Sequence, residues 1–133
     1  MSKYNTNLAA EYYVLSTLYR LGVDAYLTLG NKKSVDIIVE RPGQGIFTVD
    51  VKGLAGSTGW PAENMTRMEE NHYYVLVCYE NKIEQPAVIP SCWIIPSSKI
   101  GQFIREWGKR KTVTHALIRE NGNKYRENWD IFK

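Results

Sequence analysis

The segment from Ile46 to Gly53 is the sequence feature that most constrains the fold of this chain. Its residues, Ile-Phe-Thr-Val-Asp-Val-Lys-Gly, alternate between apolar and polar side chains, which is typical of a half-buried β-strand. Three apolar side chains would face the protein core: Phe47, Val49 and Val51. The opposite face would then carry a carboxylate and an ammonium group side by side, from Asp50 and Lys52.

A second acid, Asp36, lies in the run of β-branched residues from Val35 to Val39. Acids are depleted in strands and are costly to bury without a partner or a cation. The turn sequence at residues 41–45, Arg-Pro-Gly-Gln-Gly, predicts an antiparallel hairpin between this strand and the strand that carries Asp50. We therefore expect Asp36 and Asp50 to face one another.

The first part of the chain predicts an amphipathic helix over residues 5–21, ended by Gly22. Its apolar residues recur at steps of three and four: Leu8, Tyr12, Leu15, Leu18 and Tyr19. Glu11 lies at the edge of this stripe, and helical spacing alone would interpret it as a boundary residue that turns towards solvent.

The rest of the chain alternates short apolar runs with turns. The patterns predict strands over residues 23–29, 72–79, 87–89, 92–95 and, more weakly, 112–118. They predict a flexible loop over 53–59, a short helix over 62–70 and a second helix over 98–107 ended by Gly108. The tail over 121–133 is expected to be irregular or to form a short appended element. The apolar run at 72–79 indicates a strand that is covered on both faces. This order of elements predicts a mixed α/β fold.

Composition sets the broad class of the protein. The 133 residues are 44% hydrophobic and 23% charged, as expected for a single globular domain spanning 1–133. The net charge of +3 is compatible with a polyanionic partner without requiring one. Cys78 and Cys92 lie in apolar surroundings, which predicts free thiols in a cytoplasmic protein, and no apolar run is long enough to cross a membrane.

Several common site motifs are absent from the sequence. It has no phosphate-binding loop, no glycine fingerprint of a dinucleotide-binding fold and no nucleophile elbow of a serine hydrolase. His72 and His115 have no Cys or His partner at a metal-ligand spacing, so the sequence assigns neither a role.

The acids suggest a metal site if Glu11, Asp36 and Asp50 converge beside Lys52. Three neighbouring carboxylates repel one another unless a cation neutralises them, and oxygen ligands favour Mg²⁺ or Mn²⁺. Because Mg²⁺ commonly binds through one or two carboxylates together with substrate phosphate, such a site indicates a phosphate-bearing substrate. The acids and the lysine would then support phosphodiester cleavage.

The order of these residues resembles the PD-(D/E)XK nuclease superfamily, which includes type II restriction endonucleases and archaeal Holliday junction resolvases. The resemblance rests on Glu11 in the first helix, Asp36 in one strand and Asp-Val-Lys at residues 50–52 in the next. It covers roughly residues 5 to 80, and Val35 stands where the motif has its proline. It implies the restriction endonuclease-like fold, a mixed central sheet flanked by helices with an αβββαβ core.

The resemblance also implies roles for the individual residues. Asp36 and Asp50 would be metal ligands, assisted by the Val51 carbonyl. Glu11 would be an auxiliary ligand, and Lys52 would be the catalytic lysine. The implied activity is a Mg²⁺-dependent or Mn²⁺-dependent endonuclease that hydrolyses DNA.

Basic and aromatic residues are candidates for DNA contacts. These are Lys32, Lys33, Trp60, Lys109, Arg110 and Lys111, with Arg105 beside the last group. The alternative for the basic residues is a solvated surface, and the alternative for Trp60 is packing within the domain.

Two further hypotheses remain open at this point. The same fold could serve as a non-catalytic module that binds nucleic acid or protein, or the acids and lysine could form only a buried ion-pair network. A chain of this length leaves little room for a separate recognition domain, so a homodimer or a partner chain could supply specificity.

Overall fold

The protein is represented by a computed structural model that describes residues 2–28 and 35–133. Its α-helices are α1 (Lys3–Arg20) and α2 (His115–Asn121). Its strands are β1 (Asp24–Leu27), β2 (Ile37–Arg41), β3 (Gly45–Leu54), β4 (Gly59–Pro61), β5 (His72–Cys78), β6 (Ser91–Pro96), β7 (Ile104–Trp107) and β8 (Arg110–Thr114). The described residues also include 3-10 helices at Ser97–Phe103, Asn123–Tyr125 and Trp129–Phe132. Among the described residues, no helix is both long and apolar enough to cross a membrane.

The main sheet contains five strands in the order β1-β2-β3-β5-β6. The first three strands form an antiparallel meander, β3 pairs in parallel with β5, and β5 pairs antiparallel with β6. A second sheet has the order β4-β8-β7. The predicted mixed α/β fold, with a central mixed sheet flanked by helices, is confirmed.

Helix α1 packs on the face of the main sheet that carries Val49 and Val51, together with Phe47. Ser2 caps the helix by accepting a hydrogen bond from the amide of Asn5 at 3.1 Å. The predicted bounds of the helix agree with the structure to within two residues at the N-terminal end and one at the C-terminal end.

The predicted buried stripe of α1 is wrong in part. The fully buried apolar residues are Ala10, Val14 and Leu18, whereas Tyr12 and Tyr19 are exposed. The reason is a close approach of the helix to β3: a Cβ atom at Gly53 would lie 3.0 Å from both the Ala10 Cβ and the Thr6 carbonyl oxygen. Only small side chains fit this contact, and Thr6 and Ala10 occupy it. The buried face of α1 therefore continues through Val14 and Leu18, and Tyr12 and Tyr19 lie outside it.

The opposite face of the main sheet is covered only in part. The second sheet, the first 3-10 helix and α2 pack against β5 and β6 in a core built around Trp60 and Trp93. Of the first three strands, this core includes only the half-buried Leu54. The cover therefore ends at β3, and Thr48 and Lys52 on this face are half-buried rather than buried.

Two predictions for the middle of the chain are wrong. Residues 53–59 are not simply a flexible loop, because β3 continues to Leu54 and β4 begins at Gly59. Residues 62–70 contain no helix, and Ala62 and Met65 are buried in the second core. Parallel pairing with β5 continues β3 to Leu54, and antiparallel pairing with β8 holds Gly59–Pro61 extended.

The predicted second helix is also wrong. Residues 97–103 form a 3-10 helix, and the chain then enters a hairpin of β7 and β8 with Gly108 at its turn, where φ is +63°. The predicted strand over 112–118 ends at Thr114, whose hydroxyl accepts a hydrogen bond from the Leu117 amide and caps α2. The predicted strand over 87–89 is not present, whereas the strands over 72–79 and 92–95 are confirmed as β5 and β6.

The tail forms short appended elements, the 3-10 helices Asn123–Tyr125 and Trp129–Phe132, and two of its aromatic residues join the first core. Trp129 and Phe132 are buried against the sheet, and Phe132 contacts the rings of Phe47 and Tyr73. The Arg41 guanidinium donates hydrogen bonds to the Ile131 and Lys133 carbonyls, which fixes the end of the chain beside β2.

Candidate active site

Asp36 and Asp50 meet at the end of the β2–β3 hairpin. The Asp36 amide donates to the Val49 carbonyl at 2.9 Å, just before β2 begins. Its carboxylate accepts a hydrogen bond from the Val51 amide at 2.7 Å, and it raises the pKa of the neighbouring Asp50. The two acids therefore lie on the same face of the sheet, as the predicted hairpin required.

Asp50 is a strongly perturbed acid. It is 7% exposed, and the Lys52 Nζ lies 3.7 Å from its Oδ2. Burial raises the pKa of Asp50 to about 7; the Lys52 ammonium opposes this increase, and the hydrogen bond and negative charge of Asp36 add to it. One ammonium group thus does not compensate for two adjacent carboxylates.

Glu11 approaches the same group of residues from α1. It is half-buried, and burial together with repulsion from Asp36 raises its pKa to about 7, although Lys52 acts in the opposite direction. Its neighbour Ala10 packs closely against Gly53 of β3, and the charges of both Asp36 and Lys52 act on the Glu11 carboxyl group. Helical spacing alone interpreted this residue as solvent-facing, whereas the structure brings it to the other acids.

The resulting acid cluster consists of Glu11, Asp36 and Asp50 with Lys52 beside them. Two of its three carboxyl groups have raised pKa values, chiefly because they are removed from water and in smaller part because Asp36 adds negative charge beside them. An oxygen-binding cation would relieve this repulsion, and Mg²⁺ or Mn²⁺ suits such ligands. The donor set therefore fits a divalent metal ion on chemical grounds.

Thr48 and His72 form a neighbouring polar pair that the sequence did not connect with the acids. They are paired in register, and the Thr48 Oγ1 lies 2.6 Å from the His72 Nδ1. Burial lowers the pKa of His72 to about 4, with a smaller contribution from Arg67. Thr48 lies on the same face of β3 as Asp50, so the alternation of the strand could have identified it as a neighbour of that acid.

The predicted nucleic-acid contacts are distributed over different places. Lys109 is exposed in the β7–β8 turn, and Arg110 and Lys111 are exposed on β8. Arg110 and Lys111 also line a groove of about 590 Å³ together with Lys3 and Glu63. Lys32 and Lys33 lie outside the described residues.

Trp60 and Trp107 differ sharply in exposure to solvent. Trp60 is fully buried, and its indole nitrogen donates to the Val77 carbonyl at 3.3 Å, so the packed alternative holds and Trp60 does not face a nucleic acid. Trp107, the last residue of the predicted second helix, is instead 65% exposed at the end of β7. Its neighbours on the hairpin, Arg105 and Lys109, are basic and exposed.

Comparison with known proteins shows two structural neighbours. One is the Holliday junction resolvase Hjc of the archaeal hyperthermophile Archaeoglobus fulgidus, with a TM-score of 0.55 and 15% identity over 86% of this chain and 88% of the resolvase chain. Another is a bacterial homing endonuclease, with a TM-score of 0.59 and 15% identity over 98% of this chain and 91% of the endonuclease chain. No protein-family model matches the sequence, and no curated protein is significantly similar to it.

Proposed function

Because the chain has the restriction endonuclease-like fold of PD-(D/E)XK nucleases, we propose that it is a metal-dependent endonuclease that hydrolyses phosphodiester bonds in DNA. The observation that carries the proposal is the convergence of Glu11, Asp36 and Asp50 beside Lys52. These residues come from α1, from the position just before β2 and from β3, and their crowding is unfavourable unless a cation binds.

Each residue of the acid cluster has a proposed role. Asp36 and Asp50 hold a Mg²⁺ or Mn²⁺ ion, with the Val51 carbonyl assisting and Glu11 as an auxiliary ligand. When bound, such an ion activates water and neutralises phosphate charge. Lys52, held 3.7 Å from Asp50, stabilises the negative charge that develops on the phosphate in the transition state.

The β7–β8 hairpin is the proposed DNA-contacting surface. Lys109 and Arg110 would neutralise backbone phosphates, and the exposed ring of Trp107 would stack on a base or sugar. Both structural neighbours are named as DNA-processing enzymes, which supports DNA as the partner.

A cytoplasmic location and a homodimer complete the proposal. Cys78 and Cys92 are both buried free cysteines, as expected in a reducing compartment. Two copies would present two hairpins to a single DNA molecule.

The experiment is a cleavage assay with purified protein on supercoiled plasmid and on a synthetic four-way junction. We expect cleavage with Mg²⁺ or Mn²⁺ and none with EDTA. The Lys52→Ala variant should lose cleavage, whereas Lys82→Ala, a substitution of an exposed lysine, should not.

Equal cleavage by wild type and Lys52→Ala would refute the proposed site. DNA binding without any turnover, unaffected by metal, would assign the protein instead to the class of non-catalytic binding modules on the same fold.

A further inference from the structure

A second group of metal-ligating side chains lies apart from the acid cluster. Cys78 ends β5, Glu80 is in the turn that follows, and His115 is the first residue of α2. One ligand atom from each of the three residues lies within 4.8 Å of the others. Distant positions in the sequence are thus brought to one point, which explains why residue spacing gave no sign of it.

The backbone and the aromatic core hold these residues in place. The His115 amide donates to the Thr58 carbonyl at 3.0 Å, and its ring makes edge contacts with Trp60 and Trp93 at centroid distances of 6.1 and 5.9 Å. Glu80 adopts a positive φ of 50°, and its Oε1 accepts a hydrogen bond from the Ser91 hydroxyl at 3.2 Å. The carboxylate is therefore oriented by a neighbouring group, as metal-ligating carboxylates commonly are.

The His115 imidazole has an unexplained polar atom. The residue is 3% exposed, and among the described residues its Nε2 has no hydrogen-bond partner. Buried polar atoms are normally paired, so an unpaired nitrogen on a ring that lies beside a thiol and a carboxylate indicates a missing ligand. Cys78 is fully buried, while Glu80 is exposed and gives the group a route to solvent.

The group formed by Cys78, Glu80 and His115, here called the Cys78 group, is distinct from the acid cluster in position and chemistry. In the β3–β5 register, Asp50 is opposite Tyr74 and Leu54 is opposite Cys78. The two places are therefore four residues apart along the strands, about 13 Å at the usual rise. The acid cluster offers oxygen ligands, whereas the Cys78 group combines sulfur, nitrogen and oxygen.

We propose that Cys78, Glu80 and His115 form a second metal site that binds Zn²⁺. A thiolate, an imidazole and a carboxylate are the three ligand types that zinc takes in proteins, and a water molecule fills the fourth position. Binding releases the Cys78 thiol proton to solvent. The ion links the end of β5 to the start of α2.

Cobalt(II) is the probe, because it replaces zinc in such sites and a cobalt–thiolate bond gives a charge-transfer band in the near ultraviolet. We expect the wild-type protein to bind one equivalent with this band, and Zn²⁺ to displace it. The Cys78→Ser variant should lose the band. The Asp50→Asn variant should retain it, which separates this site from the proposed nuclease site.

The chain offers matched controls. Cys92 is the other buried cysteine and His72 is another buried histidine with an unpaired Nε2, so Cys92→Ser and His72→Gln should retain the band. Glu80 is exposed, so Glu80→Gln should fold while its cobalt affinity falls about 10-fold or more.

Absence of the band in wild type, or its persistence in Cys78→Ser, would overturn the proposal. If Cys78→Ser does not fold, Glu80→Gln decides the question: unchanged cobalt affinity in that variant also overturns it.

Discussion

The most informative perturbation is Asp50→Asn, because it should stabilise the metal-free protein while destroying its proposed function. Burial and Asp36 raise the pKa of Asp50 from 3.8 to about 7. A shift of this size means that ionised Asp50 costs the folded state about 4 kcal/mol as an upper bound. Asparagine removes the charge, and its amide can donate a hydrogen bond to the Asp36 carboxylate.

The expected net gain is smaller than that bound because asparagine also loses the attraction to Lys52. We expect the free energy of unfolding to increase by about 1–3 kcal/mol, at roughly 3–5 °C in Tm per kcal/mol for a chain of this size. The sign of the pH dependence follows from the raised pKa. Ionisation of Asp50 lowers the free energy of unfolding of wild type progressively as pH rises from about 4 to about 7, and the full loss is present above that range.

The assay is thermal unfolding followed by circular dichroism at pH 8, in EDTA and in excess Mn²⁺. In EDTA, Asp50→Asn should melt above wild type, and Mn²⁺ should raise the Tm of wild type but not of the variant. Asp24→Asn, which removes an exposed carboxylate on β1, should behave as wild type in both conditions. A metal-free Asp50→Asn protein that melts below wild type at pH 8 would refute the electrostatic reasoning.

Three further predictions concern histidine, glycine and tryptophan. Because burial lowers the pKa of His72 to about 4, wild type should lose stability relative to His72→Gln as pH falls from about 6.5 to 4, by up to about 3 kcal/mol in urea titrations. Gly53→Ala should lower the free energy of unfolding by about 1–3 kcal/mol, because its Cβ would lie 3.0 Å from atoms of α1. Gly56→Ala, whose Cβ would have its nearest atom at 3.5 Å, should lower it much less. Similar urea midpoints for the two variants would contradict the close approach at Gly53. Trp60→Ala should destabilise the protein by about 3–5 kcal/mol. Trp107→Ala should leave stability within about 0.5 kcal/mol of wild type and weaken DNA binding measured by fluorescence anisotropy. Unchanged DNA affinity in Trp107→Ala would remove Trp107 from the DNA-contacting surface.

The site residues were predictable where one local pattern determined their position. The alternation of β3 put Asp50 and Lys52 on one face, and the Arg41–Gly45 turn brought Asp36 opposite Asp50. Glu11 depended on the resemblance, because its helical position alone indicated solvent. Its placement requires knowing how α1 lies on the sheet.

The errors arose where tertiary contacts overrode a local period. The buried face of α1 includes Thr6 and Ala10 because they contact Gly53 closely, and the residue pattern within the helix does not predict this contact. Ile100, Phe103 and Trp107 fit a helical period, yet pairing of β7 with β8 straightens the second half of that segment and exposes Trp107. The Cys78 group was invisible to spacing because α2 brings His115 to the end of β5.

The central claim is that the acid cluster binds a divalent metal ion. Calorimetric titration of Mn²⁺ into wild type and Asp36→Asn at neutral pH tests it most directly, with Cys78→Ser as the control for the second site. Saturable binding that is lost in Asp36→Asn and retained in Cys78→Ser is the predicted result. Mn²⁺ binding that is unchanged in Asp36→Asn would contradict the account.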